Sequence, residues 1–215
     1  MTFTVTAAQI AQLTPNACGP DVLAAAINAT AQFYGLSDTQ LRMRYFIAQS
    51  CFETQNYSFW SENLFYTTPD RLCAVWPSRF SMTQGSTLAY APDYTSNPSK
   101  LANLVYANRG GNGAPSSGDG FAFRGRGAFH LTFRSNYAAY SQARYSDDRI
   151  VQNPDLVAQP ADAFMSAGWF WSTNNLSALA DADQYTKATQ VINGSTATVP
   201  QRLVTLNQVN AIFQW

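Results

Sequence analysis

Two glutamates in the segment CFETQNYSFWSENLFY, residues 51–66, have the type and spacing for acid–base chemistry. Glu53 and Glu62 stand nine positions apart. On an unbroken α-helix, nine residues amount to roughly 900° of rotation, which places the two side chains on opposite faces. The intervening TQNYS favours the end of a helix and a turn of the chain. We therefore expect Glu53 at a helix C-terminus and Glu62 on the loop beyond it.

Two carboxyl groups in this arrangement suit hydrolysis of a glycosidic bond. One protonates the leaving oxygen and the other activates water; a separation of about 6.5–9.5 Å inverts the anomeric centre, and about 5 Å retains it. Glu53 is the better candidate for the acid, because apolar neighbours such as Phe52 and a helix C-terminus both disfavour negative charge. From the spacing alone, the alternative to a catalytic pair is that both glutamates are ordinary surface residues without a role in catalysis.

The composition indicates one globular domain over residues 1–215. The chain is 46% hydrophobic and 12% charged, and thirteen basic residues balance thirteen acidic ones. A zero formal charge provides no overall attraction for nucleic acid, so we expect no nucleic-acid partner. We expect a monomer without cofactor.

The cysteines and the single histidine have no metal-ligand spacing, so we expect no metal site. Cys51 lies in an apolar helical run and is expected to be buried. A disulfide between two of Cys18, Cys51 and Cys73 remains open.

The N-terminal residues MTFTVTAAQIAQLTPNACG lack the basic and apolar regions of a signal peptide. The sequence also has no run of about eighteen apolar residues, so we expect no stable membrane insertion. We therefore expect synthesis in the cytoplasm, with delivery by another factor if the target lies outside.

Helical patterns occupy both ends of the chain. Thr6 is placed to cap AAQIAQL, Pro20 and Gly35 to begin and end the next helix, and Ser37 to open a third with Gln40 in a capping box. Further helices are predicted at RSNYAAYSQARY, ADAFMSAGWFWSTN, DADQYTKATQVIN and PQRLVTLNQVNAIFQW. Residues 108–127, with seven glycines, are predicted to form a structured loop without helix.

Several motifs in a fixed order resemble glycoside hydrolase family 19, which contains chitinases and related phage endolysins. They are FIAQSCFET, SENLFY, YANRGGNG, SGDGFAFRGRGAFHLTFRSNY, SAGWFW and VING. The resemblance implies a mainly α, lysozyme-like, two-lobed domain with a central substrate cleft. It also implies inverting hydrolysis of β-1,4-linked amino sugars.

The resemblance assigns roles to individual residues. Glu53 matches the family's general acid, Glu62 the general base, and Thr132 a residue that helps to hold the attacking water. Asn136, Tyr137 and Asn193 match positions that line the sugar subsites.

Other residues are weighed beside these matches. Thr132 has the alternative role of capping the following helix. His130 is a candidate to hydrogen-bond the substrate, and Trp60, Tyr66 and Tyr106 are candidates to stack on sugars. Arg124 and Arg126 are expected to tie the glycine-rich loop to nearby carboxylates or carbonyls.

Four positions depart from the family pattern, and one of them is Ser195, which follows VING where a second glycine is usual. At the other three, Phe52 stands where histidine is usual, His130 where glutamine is usual, and Phe133 where glycine is usual. Because both carboxylates are present, we expect an active enzyme with altered subsites.

The favoured function is a peptidoglycan hydrolase, most simply a phage endolysin that reaches the cell wall in the periplasm after holin-dependent release. The alternatives are a secreted-effector muramidase, a chitinase, and a catalytically weakened glycan-binding module.

Overall fold

The structure, a computed structural model, describes residues 2–215, which are mainly helical. This confirms the predicted mainly α fold class. In chain order, the α-helices α1–α12 of these residues are Ala7–Leu13, Pro20–Phe33, Gln40–Glu53, Pro69–Val75, Pro98–Val105, Asp119–Ala122, Arg134–Tyr145, Arg149–Gln152, Pro160–Thr173, Leu176–Asp181, Tyr185–Asn193 and Val199–Ile212.

Extended structure is confined to one small sheet and one isolated bridge in the described part of the chain. Strands β1 (Phe80–Ser81) and β2 (Ala89–Tyr90) pair in parallel. Short 3₁₀ turns connect several helices; they are Leu36–Asp38, Ala91–Tyr94, Pro115–Ser117 and Pro154–Ala158.

The chain divides into two compact units. The first unit contains the chain up to Trp60, Arg126–Leu131 and Asp155–Trp215, and the second contains Ser61–Gly125 and Thr132–Pro154. A single catalytic domain over 1–215 stays a prediction.

The core of the first unit is built around α3. The ring of Phe46 in this helix packs against Trp171 and Phe129, with centroids 5.8 and 5.5 Å away. Phe46 and Trp171 are fully buried. Because α12 also packs along α3, residues of both helices are fixed relative to one another.

The second unit has its own core, in which α5 packs closely on α6. Leu72, Phe80 and Leu101 are buried there. A Cβ on Gly120 in α6 would lie 2.3 Å from the carbonyl oxygen of Ala102 in α5, so only glycine allows this approach.

The local signals for the first two helices are confirmed. Thr6 forms a capping box with Gln9 at the start of α1, and Pro20 begins α2, which ends just before Gly35 at φ +68°. The predicted start of α3 at Ser37 is wrong. Residues 36–38 form a 3₁₀ turn, and the Thr39 hydroxyl accepts the Arg42 N–H instead.

The predicted break between the two glutamates is confirmed. Helix α3 ends at Glu53, and the next residues Gln55, Asn56 and Tyr57 all have positive φ, between 49° and 62°. Glu62 lies beyond this turn in a non-helical segment.

The glycine-rich segment is ordered by hydrogen bonds, but the prediction that it contains no helix is wrong. Asp119 begins the one-turn helix α6, and its carboxylate accepts the Gly113 N–H at 2.9 Å and pairs with Arg134 at 3.1 Å. A carboxylate that binds both a backbone N–H of the loop and the first residue of α7 helps this glycine-rich segment to adopt one conformation.

In residues 2–215, every helix is too short or too polar to cross a lipid bilayer.

Candidate active site

The carboxyl group of Glu53 lies at the C-terminal end of α3, between two nitrogen-bearing side chains of the first unit. Its Oε1 accepts a hydrogen bond from Arg202 Nη2 in α12. Its Oε2 lies 3.7 Å from Nδ1 of His130. The Glu53 side chain is 15% exposed, so it is largely buried but reaches the surface.

Arg202 is fully buried and uses its remaining donors within the first unit. Nη1 donates to Gln49 Oε1 at 2.5 Å, and Nε donates to Thr198 Oγ1 at 3.0 Å. The guanidinium carbon lies 4.4 Å from the centre of the Phe52 ring. A guanidinium held on its edges and on one face has a single orientation. Its hydrogen bond to Glu53 therefore also fixes the orientation of the Glu53 carboxyl group.

A pocket of about 510 Å³ opens beside Glu53 within the first unit. Its lining is largely polar and uncharged, with Asn56, Asn193 and Gln208 around the carboxyl group. Asn193 and Glu53 therefore line the same pocket. Amide side chains that offer both donors and acceptors suit the hydroxyl and acetamido groups of a sugar.

His130 reaches Glu53 from a tight turn. Its backbone φ is +49°, and its N–H donates to Gly127 O at 3.2 Å. The turn is fixed where Arg126 and Leu131 exchange backbone hydrogen bonds of 3.1 and 2.7 Å. The imidazole therefore occupies a place set by the backbone.

The turn is tied to the rest of the first unit by arginine, as predicted. Arg126 pairs with Asp155 at 2.7 Å, and Gly127 N donates to Trp60 O at 2.9 Å. Arg124, in the second unit, likewise donates to Phe121 O at 2.9 Å.

Glu62 is held by two donors in the second unit. Its Oε1 accepts the Gly125 N–H at 2.7 Å, and its Oε2 accepts the Tyr106 hydroxyl at 2.7 Å. The backbone N–H of Glu62 donates in return to Gly125 O at 2.9 Å. With one donor on each oxygen, the plane of the carboxylate is fixed.

The Tyr106 hydroxyl keeps its proton, and therefore remains a donor, at neutral and moderately alkaline pH. Burial, followed by the nearby carboxylate of Glu62, raises the pKa of Tyr106 well above the ordinary tyrosine value. The sequence suggested Tyr106 as a sugar-stacking residue, and the structure adds a direct hydrogen bond to Glu62.

Thr132 does not occupy the N-cap of α7, so its alternative role as a cap is wrong. The N-cap residue is Phe133, and Asn112 Oδ1 accepts the first helical N–H, that of Arg134, at 2.9 Å. Thr132 is half-buried, and its carbonyl accepts Asn136 Nδ2 at 2.8 Å. Thr132 and Asn136 are thus brought together in the second unit.

The predicted aromatic residues differ in their surroundings. Tyr137 is fully buried, and its hydroxyl donates to Arg124 O at 2.7 Å, beside the Gly125 that holds Glu62. Trp60 is half-buried and stacks on Tyr57 with centroids 6.0 Å apart. Tyr66 is half-buried in the second unit against Trp76.

Phe133 keeps a backbone conformation suited to glycine. Its φ is +76° and its ψ 140°, a combination that costs a non-glycine residue about 1–3 kcal/mol. Its ring lies 5.6 Å from that of Tyr106 and 5.2 Å from the Arg109 guanidinium. A Cβ on Gly110 would lie 2.5 Å from Phe133 Cβ, so the ring covers the glycine directly.

No group of three or more His, Cys, Asp or Glu side chains among residues 2–215 is placed to hold a metal ion. All three cysteines are free thiols, and burial raises the pKa of Cys51 to about 12.

Sequence reasoning missed Arg202 and Gln49. Gln49 precedes Glu53 by four positions on the same helix, a spacing that could have placed both side chains on one face. Arg202 lies 149 positions away, and no local pattern indicates its pairing.

Comparisons with known proteins identify the family of the chain. The family model described as chitinase class I of glycoside hydrolase family 19 matches residues 20–194. A glycosyl hydrolase family 19 domain-containing protein of Haemophilus influenzae is 30% identical over 169 residues, which cover 76% of each chain.

Two further relatives are plant and bacterial chitinases. An acidic 27 kDa endochitinase of Solanum lycopersicum is 49% identical over 55 residues, 25% of this chain and 22% of its own. The crystal structure of chitinase C from Streptomyces griseus has a similar fold, with a TM-score of 0.60 and 21% identity over 99% of this chain and 93% of its own. The chain belongs to glycoside hydrolase family 19 and is a glycosidase.

Proposed function

We propose that this protein hydrolyses β-1,4 bonds of an amino-sugar polymer with inversion, Glu53 as general acid and Glu62 as general base. The observation that carries the proposal is that each glutamate has its own set of fixed partners. Arg202 orients Glu53, and Tyr106 with Gly125 orients Glu62. A carboxyl group of fixed orientation transfers a proton without first paying for reorganisation.

Each role follows from the chemistry of the bond. The acid gives its proton to the oxygen of the departing sugar, while the base takes a proton from the water that attacks the anomeric carbon. Thr132 is proposed to help hold that water, and Asn136 and Asn193 to bind sugar hydroxyl or acetamido groups. His130, Trp60 and Tyr66 are further proposed contacts with the glycan.

We propose peptidoglycan as the polymer, with the chain acting as an endolysin. The support is the position of Phe133, which departs from the family's glycine next to Tyr106, the partner of Glu62. An aromatic ring there changes the surface beside the proposed base. Peptidoglycan has the β-1,4 backbone of chitin but carries a lactyl peptide on alternate sugars, so a change of local shape is suited to the substituted polymer.

The proposed setting follows from the substrate. The protein is made in the host cytoplasm and acts on the wall in the periplasm after release by a holin or an equivalent. A delivered muramidase toxin would use the same chemistry.

Chitin is the second candidate, favoured by the stretch of 49% identity to a tomato endochitinase. The two substrates are separated by incubating the protein with purified sacculi and, in parallel, with chitin oligomers. Mass spectrometry of the released muropeptides identifies the reducing-end sugar and therefore the bond that is cut. Release from chitin alone would overturn the peptidoglycan proposal.

The acid and base roles are tested with Glu53→Gln and Glu62→Gln. Each change removes a proton carrier and is expected to lower kcat by about two to four orders of magnitude with the fold intact. Proton NMR of the first product should show the α-anomer. Retained activity in either variant, or a β-anomer, would refute the mechanism, and glycan binding without hydrolysis by the wild type would indicate a binding module.

A further inference from the structure

Gln49 connects the candidate acid to the interior of the first unit. It lies in α3, one helical turn before Glu53, and is fully buried. Its Oε1 accepts the Arg202 Nη1–H at 2.5 Å, and its Nε2 donates to Thr189 Oγ1 in α11 at 2.6 Å. A neutral amide therefore joins α11 to the arginine of α12.

The guanidinium of Arg202 spans two side chains of the same helix. Nη1 binds Gln49 and Nη2 binds Glu53, which are four residues apart on α3. The planar fork cannot turn toward one without leaving the other. The position of Gln49 thus fixes the direction from which Arg202 meets the Glu53 carboxyl group.

Arg202 sets which end of the Gln49 amide faces it, because a guanidinium has only donors, and Thr189 holds the other end. The carbonyl oxygen accepts from the guanidinium, and the fully buried Thr189 hydroxyl accepts a hydrogen bond from the NH₂ group. A flipped amide would place its NH₂ against the N–H of Arg202, leaving buried donors unsatisfied at a cost of about 1–3 kcal/mol.

We propose that Gln49, anchored by Thr189, is a positioning residue that fixes Arg202 and, through it, the carboxyl group of Glu53. The inference rests on the proposed role of Glu53 as general acid. Because Gln49 is fully buried, it acts without touching the glycan.

The charged and titratable groups around Glu53 and its partner Arg202 come from three elements. Arg202 belongs to α12 and His130 to the Arg126–Leu131 turn. Tyr185 of α11 donates to Arg202 O at 3.1 Å, and burial raises its pKa above the ordinary value. Gln49 adds no charge to this group, which makes a charged replacement informative.

The first test uses two replacements of similar size. Gln49→Met removes the acceptor, and we expect kcat to fall about 10- to 100-fold with KM changed less than threefold, because a supporting partner is lost but no substrate contact. Gln49→Glu puts a second carboxylate on Arg202. The alkaline limb of the pH–kcat profile should move up by about one pH unit, because the added negative charge opposes ionisation of Glu53.

The anchoring of the Gln49 amide is tested at Thr189. Thr189→Val keeps the shape without the hydroxyl and should lower kcat. Thr189→Ser keeps the hydroxyl, and its kcat should be about tenfold higher than that of Thr189→Val. Thr30→Val is the matched control, since Thr30 is another fully buried threonine of the first unit. We expect it to leave kcat unchanged.

A readout independent of activity separates this inference from the proposed function. The Nε–H resonance of Arg202 in ¹⁵N NMR, assigned with Arg202→Lys, should shift or broaden in Gln49→Met and Thr189→Val but not in Thr30→Val. An unchanged resonance, or an unmoved alkaline limb in Gln49→Glu, overturns the positioning role. Full activity of Glu53→Gln instead overturns the proposed function, while the resonance still decides whether Gln49 fixes Arg202.

Discussion

The Tyr106 hydroxyl lies 2.7 Å from Glu62 Oε2 and donates a hydrogen bond to it. The other oxygen of Glu62 accepts the Gly125 N–H at the same distance. Tyr106→Phe removes one of these two donors and leaves the carboxylate free to rotate. A hydrogen bond to a charged group is worth about 1.5–3 kcal/mol, so we expect kcat to fall about 10- to 100-fold.

This effect is measured by steady-state hydrolysis of sacculi or chitin oligomers beside Tyr94→Phe. Tyr94 is another half-buried tyrosine of the second unit, packed on Phe80. Its variant should retain wild-type kcat. Equal activity of the two variants would show that the Tyr106 hydroxyl does not orient Glu62.

Arg202→Lys replaces a planar fork by a single ammonium group. Lysine cannot bind Gln49, Glu53 and Thr198 from one position, so buried polar groups lose their partners. We expect kcat to fall about 100-fold and the free energy of unfolding to fall by about 2–3 kcal/mol. Kinetics and urea unfolding measure the two effects.

Arg42→Lys is the control for the loss of an arginine from the first unit. Arg42 pairs with Asp181, whose side chain is 38% exposed, so the pair is screened by solvent. This change should alter the free energy of unfolding by no more than about 1 kcal/mol and leave kcat intact. If kcat and the free energy of unfolding fell equally in Arg42→Lys and Arg202→Lys, the role of Arg202 in orienting Glu53 would be contradicted.

His130→Ala tests whether the imidazole binds the glycan. The side chain is 28% exposed, and loss of one neutral hydrogen bond, about 1 kcal/mol, should raise KM about fivefold. His130→Gln restores the residue usual in the family and should return KM to within twofold of the wild type. If KM is unchanged in His130→Ala, the proposed substrate contact is absent.

Stability should decline in alkali because several buried acids keep their protons only in the folded state. Burial raises the pKa of Cys51 to about 12, and those of Tyr45, Tyr57 and Tyr185 above the ordinary value of 10.0. The unfolded chain loses these protons first, so this stability is fully present below about pH 9 and is lost progressively above it.

Urea unfolding at pH 7, 9 and 10.5 measures this decline. In the unfolded chain the Cys51 thiol loses its proton at a lower pH than the tyrosines do. Cys51→Ala removes this thiol and should make the free energy of unfolding fall less steeply between pH 9 and 10.5. A stability that is constant to pH 10.5 in the wild type would contradict the raised pKa values.

The local structure of the chain could be predicted wherever one residue or short motif determines it. The Thr6 capping box, Pro20 at the start of α2 and the break after Glu53 depend on neighbours within a few positions. The family and its mainly α fold followed from motifs of the same kind. The predicted start of α3 is wrong because two hydroxyl groups, those of Ser37 and Thr39, could cap it, and Ser37 lies inside the 3₁₀ turn, which leaves Thr39 as the cap.

The surroundings of the two glutamates could not be predicted, because they depend on contacts between distant parts of the chain. Arg202 meets Glu53 only because α12 packs along α3. Tyr106 meets Glu62 across 44 positions, and Asn112 caps α7 across 22. Tyr137 looked like a substrate contact by its place in a motif, but its full burial indicates support for the segment that carries Gly125.

The covering of Gly110 by Phe133 has a consequence for natural variation. The two residues share one volume, since any side chain at 110 would meet the ring at 133. In homologues the two positions should covary, with glycine obligatory at 110 where 133 is aromatic and a residue such as asparagine admitted there where 133 is glycine. Substitution at either position is therefore constrained by the residue at the other. A side chain can appear at 110 only after the aromatic ring at 133 has been lost.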